Sequence, residues 1–92
     1  MSIPKIEVIP VCKEALEYVS KVIRSHVKPT NVSLKVQVDK LICSANGYEP
    51  MSIDGVYRME DIKADIYRFG LYNSAAVFTP DHEPNTVIIS LY

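Results

Sequence analysis

The hydrophobic period of the chain changes at Pro29, and this change constrains the fold more than any other feature. Between positions 12 and 27 apolar residues recur three or four positions apart, the spacing of one helix face. Over positions 31–38 apolar and polar residues alternate, as in a strand with one buried face. Lys28 precedes a proline and is therefore biased away from helical geometry. The sequence predicts a helix over 11–28, followed by half-buried strands.

Turn signals divide the middle of the chain into short strands. The alternation slips at Asp39-Lys40, which predicts a turn or a bulge. Asn46-Gly47 favours a hairpin, because a type I′ turn needs positive φ at both central residues. Asp54-Gly55 repeats that signal. Two such turns close together predict a meander of antiparallel strands.

The stretch 57–72 fits a helix better than a strand. Read as a helix, it places four apolar residues on one face: Met59, Ile62, Ile66 and Phe69. Gly70 would then follow the last turn, where glycine is favoured. Read as a strand, it would crowd Asp61, Lys63 and Asp65 onto one face, and aspartate is depleted in strands. We therefore predict a second, shorter helix near 59–69.

The two ends of the chain read as strands. Positions 2–11 predict a short first strand carrying Ile3, Ile6, Val8 and Ile9, and the prolines at 4 and 10 suit a strand end or an edge. Positions 75–79 and 85–92 predict two more strands, and the apolar run 87–91 predicts a central strand covered on both faces. The sequence thus predicts one α+β domain over 1–92, with an antiparallel or mixed sheet of about four to six strands packed by one long and one shorter helix. A ferredoxin-like arrangement stays open.

Charge and cysteine usage are those of a globular protein without special chemistry. Residues 1–46 carry seven Lys/Arg against four Asp/Glu, and residues 47–92 carry three against seven. Folding that interleaves the two halves would remove this asymmetry. Cys12 and Cys43 fall on apolar positions, which indicates buried thiols in a reducing compartment. With neither a leader-like start nor a long apolar run, we expect a cytoplasmic protein that does not bind membranes.

No residue pattern indicates catalysis, a metal or a cofactor. We expect neither cysteine to have a basic partner that would activate its thiol, and three glycines form no phosphate-binding loop. His82 lies between Asp81 and Glu83, but adjacent side chains rarely converge on one point, so we interpret them as a solvated turn. The expectation is a protein that is not an enzyme, with no catalytic residues, no metal and no cofactor.

A basic helix face gives an alternative function, nucleic-acid binding. The residues of this predicted site are Lys21, Arg24, Lys28 and Lys35. Phosphate contacts need such a cluster, but the sequence pI of about 6.1 is lower than that of typical nucleic-acid-binding domains. Glu17 lies four positions before Lys21, which predicts an ion pair worth about 0.2–0.5 kcal/mol.

Protein binding fits the tyrosine content best. Six tyrosines and no tryptophan offer rigid amphipathic surface, and Tyr and Arg are typical interface hot spots. The residues of this predicted site are Tyr57, Arg58, Asp61, Asp65, Tyr67, Arg68 and Tyr72. Their role in packing a small core is an equally good interpretation.

We expect the partner to be another protein or a nucleoprotein complex. The acidic residues of this stretch would contact a basic surface of that partner. By analogy of class alone, small motif-free domains of this kind are typical of phage and mobile-element inhibitors of host defence complexes, including anti-CRISPR proteins. An open strand edge beside Pro4 or along 48–53 would also let two copies pair as a homodimer.

Overall fold

The chain folds as an α+β structure whose element order follows the period changes of the sequence. A computed structural model describes residues 9–69 and 75–92. The elements, in chain order, are α1 (Lys13–Ser25), β1 (Thr30–Val36), β2 (Lys40–Ala45), β3 (Tyr48–Asp54), α2 (Met59–Arg68), β4 (Ala75–Phe78) and β5 (Thr86–Leu91). The predicted fold class is confirmed: five antiparallel strands form one sheet, packed by a longer and a shorter helix.

The sheet has the strand order β3-β2-β1-β5-β4, with every neighbouring pair antiparallel. Hairpins connect β1 to β2 and β2 to β3, whereas β5 reaches β1 from the far end of the chain. At the centre, Leu34 of β1 lies opposite Cys43 of β2 on one side and Val87 of β5 on the other. The two halves of the chain are therefore interleaved in one sheet.

Both helices cover the same face of the sheet. Ala15, Val19 and Val22 of α1 are buried in one hydrophobic core together with Ile62 and Ile66 of α2 and the inward-facing strand residues. Helix α1 lies over β1, β2 and β3, and α2 lies against β5. Burying each such aliphatic side chain contributes roughly 1.5–3 kcal/mol, so the two apolar stripes fix the helices on the sheet.

Helix α1 is shorter at both ends than the predicted 11–28. Cys12 is extended, with φ −139° and ψ 99°, and His26 is extended at the other end, with φ −71° and ψ 140°. The helix ends at Ser25 because the chain must straighten ahead of Pro29 to enter β1. Helix α2 is confirmed at Met59–Arg68, while Gly70, its predicted terminator, lies outside the described residues.

The turn predictions have different outcomes. The Asn46-Gly47 hairpin is confirmed: it joins β2 to β3, and Gly47 has a φ of +83°. The slip at Asp39-Lys40 is also a turn, in which the Gln37 N–H donates to the Lys40 carbonyl at 2.8 Å. The predicted hairpin at Asp54-Gly55 is wrong, because β3 is an edge strand and the chain leaves the sheet there for α2.

The terminal strands differ in how far the structure describes them. Of the predicted first strand, residues 2–8 lie outside the described part, and residues 9–11 are not in a strand. The two C-terminal strands are confirmed, and β5 is an interior strand. It is not covered on both faces by the described residues, because both helices pack on the face of Ile89, while Ile88 points to the other face and is half-buried.

Candidate functional site

The outer side of α2 presents a group of exposed polar and aromatic side chains. We call this group the α2 surface; it consists of Arg58, Glu60, Asp61, Tyr67 and Arg68. Four of its members belong to the predicted protein-binding site. The apolar stripe of α2 buries its opposite side, and 50% of Tyr67 stays accessible.

Tyr57 packs inward and does not belong to the α2 surface. Its ring is half-buried against the core, and its hydroxyl donates to the Asp54 carbonyl at 3.4 Å. Hydrogen bonding with the Cys12 thiol, followed by desolvation, raises the pKa of the Tyr57 hydroxyl above its usual value. Tyr57 therefore links the β3–α2 connection to the start of α1.

Asp65 is also buried, with 3% of its side chain exposed, and so offers no charge to a partner. Its Oδ2 accepts a hydrogen bond from the Val11 N–H at 2.6 Å. Its Oδ1 has no hydrogen-bond partner but lies 3.5 Å from Nη1 of Arg68, which supplies the opposite charge. Tyr72, the last residue of the predicted site, lies outside the described residues.

The α2 surface is balanced in charge rather than acidic. Between positions 58 and 68 the chain has three basic and three acidic residues, and one of the acids is the buried Asp65. Arg58 forms an ion pair with Glu60 at 3.4 Å, with both side chains largely exposed. The expectation that acids of this stretch would meet a basic surface therefore has no support in the geometry.

The four residues of the predicted nucleic-acid site do not form one surface. Lys21 and Arg24 are exposed on α1, and Lys28 is exposed just beyond its end. Lys35 alternates with the buried Leu34 on β1 and so points to the sheet face opposite the helices. Successive side chains of a strand point to opposite faces of the sheet, so Lys35 lies on the face away from α1 and its lysines.

A basic hollow lies at the C-terminal end of α1. Its volume is about 440 Å³, and the β2–β3 hairpin forms its far side. Its polar and charged lining residues include Lys21, His26, Lys28, Asn46 and Tyr48. Tyr48 is absent from both predicted sites, since only the pairing of β2 with β3 brings it to α1. There its hydroxyl lies 2.7 Å from that of Ser25.

His26, just beyond the last residue of α1, is within hydrogen-bonding distance of a backbone carbonyl through each of its ring nitrogens. Nδ1 lies 2.8 Å from the Ile23 carbonyl, and Nε2 lies 3.2 Å from the Tyr92 carbonyl. These two carbonyls, Tyr92 first, raise the pKa of His26 above 6.5 because they favour the doubly protonated ring. A cation also suits a helix C-terminus.

The two cysteines are free and buried, as predicted. Burial, with a smaller contribution from the neighbouring Cys12, raises the pKa of the Cys43 thiol to about 12. Since the thiolate is the nucleophile, the Cys43 thiol is unreactive at neutral pH. His82 lies in an exposed turn, and within 9–69 and 75–92 no three metal-ligating side chains form a group.

The predicted open edge at 48–53 is the edge strand β3, but it is poorly suited to strand pairing. The register shifts between Cys43 and Ala45, which marks a bulge at Glu49-Pro50 of β3, where these two residues lie opposite the single Ser44 of β2. Proline has no N–H to donate, and the Tyr18 hydroxyl donates to the Glu49 carbonyl at 3.1 Å. These features blunt an edge. Homodimer formation stays a prediction.

Comparison with known proteins gives no match: no family model matches this chain, and neither does a curated protein or a solved structure. Of the helices in the described part of the chain, none is both long and apolar enough to cross a membrane. Function must therefore be inferred from the surfaces themselves.

Proposed function

We propose that this protein is a non-enzymatic binding module that holds another protein through the α2 surface. The observation that carries the proposal is the position of Tyr67. Half of its surface remains exposed beside Arg68, on a helix whose opposite side is buried in the core. Tyrosine and arginine are the residue types in which interface energy concentrates.

The α2 surface is held rigid by its buried side. Ile62 and Ile66 are buried in the core, and Asp65 on the same helix is hydrogen bonded to Val11. A surface that is already ordered loses little conformational entropy on binding, and this raises affinity without additional contacts. Rigid support distinguishes α2 from a loop that happens to carry aromatic residues.

The balanced charge favours a partner of mixed charge over a strongly basic one. Both arginines of this surface form ion pairs within the protein, Arg58 with Glu60 and Arg68 with Asp65, so their charges are partly neutralised before any partner binds. A phage or mobile-element inhibitor of a host defence complex, of which anti-CRISPR proteins are one kind, stays within this proposal by analogy of class alone. The free, buried cysteines support a reducing location such as the cytoplasm.

The test is affinity purification from the native host with the wild-type protein and with Tyr67→Ala/Asp61→Arg. Both changes are on exposed side chains, so the variant should fold. We expect loss of the captured partner, with affinity falling by about 30-fold if Tyr67 is a hot spot worth roughly 2 kcal/mol.

Tyr92→Ala is the matched control, because Tyr92 is a tyrosine that is 78% exposed and does not belong to the α2 surface. It should capture the same partner as the wild type. If the folded α2 variant retains every partner at wild-type levels, the α2 surface is not the binding site and the proposal is wrong.

A further inference from the structure

The basic hollow at the end of α1 is lined by cations without an acid among its described residues, although Lys21 also lines an adjoining hollow with Glu14 and Glu17. Lys21 and Lys28 line it, and none of its described lining residues is Asp or Glu. Arg24 adds a further cation in the last turn of α1. The protein as a whole has a net charge of −1, so this concentration of cations is local.

The ion pair expected to neutralise Lys21 does not form. Glu17 lies 3.9 Å from Nζ of Lys13, on the side of α1 toward its start. Among the described residues, the ion pairs are Lys13–Glu17, Arg58–Glu60 and Arg68–Asp65. None of these ion pairs includes Lys21 or Lys28, the two lysines that line the hollow.

His26 adds charge to the same place. A neutral imidazole has one N–H and cannot donate to the Ile23 and Tyr92 carbonyls together, so the observed geometry fits the imidazolium. With both nitrogens engaged, His26 contributes charge to the hollow rather than a hydrogen bond. It also opposes the negative end of the α1 dipole, which would otherwise repel an anion.

We propose that the basic hollow binds a phosphate group, with Lys21 and Lys28 as its cationic contacts and the imidazolium of His26 as supporting charge. The Asn46 side-chain amide and the Tyr48 hydroxyl stand at the hairpin side as neutral hydrogen-bonding groups. A volume of about 440 Å³ accepts a nucleotide-sized ligand. The phosphate belongs to a nucleic-acid strand or to a free nucleotide. This site does not depend on the α2 surface.

The first test is an NMR titration with inorganic phosphate at low ionic strength and pH 6. Backbone amides of residues 26–28, 30 and 46–48 should shift in a saturable way. Lys21→Gln/Lys28→Gln should weaken binding at least fivefold. Lys35→Gln is the matched control: it removes a lysine from the same predicted set, but on the other sheet face, and should bind as the wild type does.

The second test separates the two sources of phosphate. If the ligand is a nucleic-acid strand, a single-stranded 12-nucleotide DNA should bind more tightly than AMP. Its affinity should fall roughly sevenfold between 50 and 200 mM salt, as expected when two of its phosphates are bound in the hollow. AMP binding as tightly as the DNA identifies a free nucleotide. If none of the three probes shifts these amides, or if Lys35→Gln weakens binding as much as the double variant does, the proposal is overturned.

Discussion

The side chain of Asp65 on α2 accepts a hydrogen bond from the backbone N–H of Val11 at 2.6 Å, across 54 positions of sequence. Val11 lies shortly before the first residue of α1, so this bond connects the start of α1 to the buried side of α2. A carboxylate that accepts from a backbone N–H makes one of the stronger hydrogen bonds in proteins. The residue that looked like part of a surface is therefore a structural anchor.

Replacing Asp65 should destabilise the protein. We expect Asp65→Ala to lower the free energy of unfolding by about 1–3 kcal/mol, because the Val11 N–H loses its acceptor and Arg68 its buried partner. Urea denaturation measures the change. Asp61→Ala, an exposed aspartate on the same helix, should cost about 0.5 kcal/mol or less. Equal costs at the two positions would contradict the anchoring role.

Gly55 should be harder to replace than Gly47. At Gly55, where φ is +144°, a Cβ would lie 2.9 Å from the Tyr57 ring, so Gly55→Ala should cost about 2–4 kcal/mol through strain and overlap together. Gly47→Ala meets open space at φ +83° and should cost about 1 kcal/mol from backbone strain alone. Thermal denaturation of the two variants compares them.

Adding Tyr57→Ala isolates the overlap. In the Tyr57→Ala background, Gly55→Ala should cost less than in the wild type, because the overlap disappears and only the strain remains. If the cost of Gly55→Ala is the same with and without the Tyr57 ring, the close contact does not restrict this position.

His26 should make stability depend on pH. Its pKa is raised above 6.5 in the folded state by the Tyr92 and Ile23 carbonyls, so the imidazolium stabilises the fold. That stabilisation is fully present below about pH 6.5 and is lost as the pH rises through the folded-state pKa. NMR titration of the folded and urea-unfolded protein measures both pKa values. His26→Gln should remove this part of the pH dependence, and a folded-state pKa at or below the unfolded one would refute the prediction.

Cys43 should resist alkylation in the folded protein. With a pKa of about 12, its thiolate fraction at pH 8 is smaller by a factor of roughly two thousand than that of an exposed cysteine near 8.5. Iodoacetamide labelling followed by peptide mass spectrometry should therefore show at least a hundredfold slower modification than in urea. Comparable rates in the two states would mean that the core opens readily around this strand.

Local elements of the fold could be predicted because their signals are local. The apolar stripe of α1 and the alternation through β1 depend on residues a few positions apart. Asn46-Gly47 forms its hairpin because Gly47 supplies the positive φ at that position. Asp54-Gly55 has the same turn chemistry but no strand to pair with beyond it, and a dipeptide does not reveal whether such a strand exists.

The candidate sites were predicted less well, because a site depends on which side of an element each residue occupies after packing. Asp65 and Asp61 are four positions apart on α2, yet one is 2% exposed and the other stands in solvent. Lys28 and Lys35 lie close in sequence, and the sheet separates them.

The sequence alone determined the kind and order of the described elements, since hydrophobic periods and turn residues act over a few positions. Only the tertiary structure decided the insertion of β5 between β1 and β4, the burial of Asp65 against Val11, and the meeting of His26 with Tyr92. These are contacts between distant parts of the chain. Such contacts are stabilised by the packing of the whole hydrophobic core, which cannot be deduced from any short stretch of sequence.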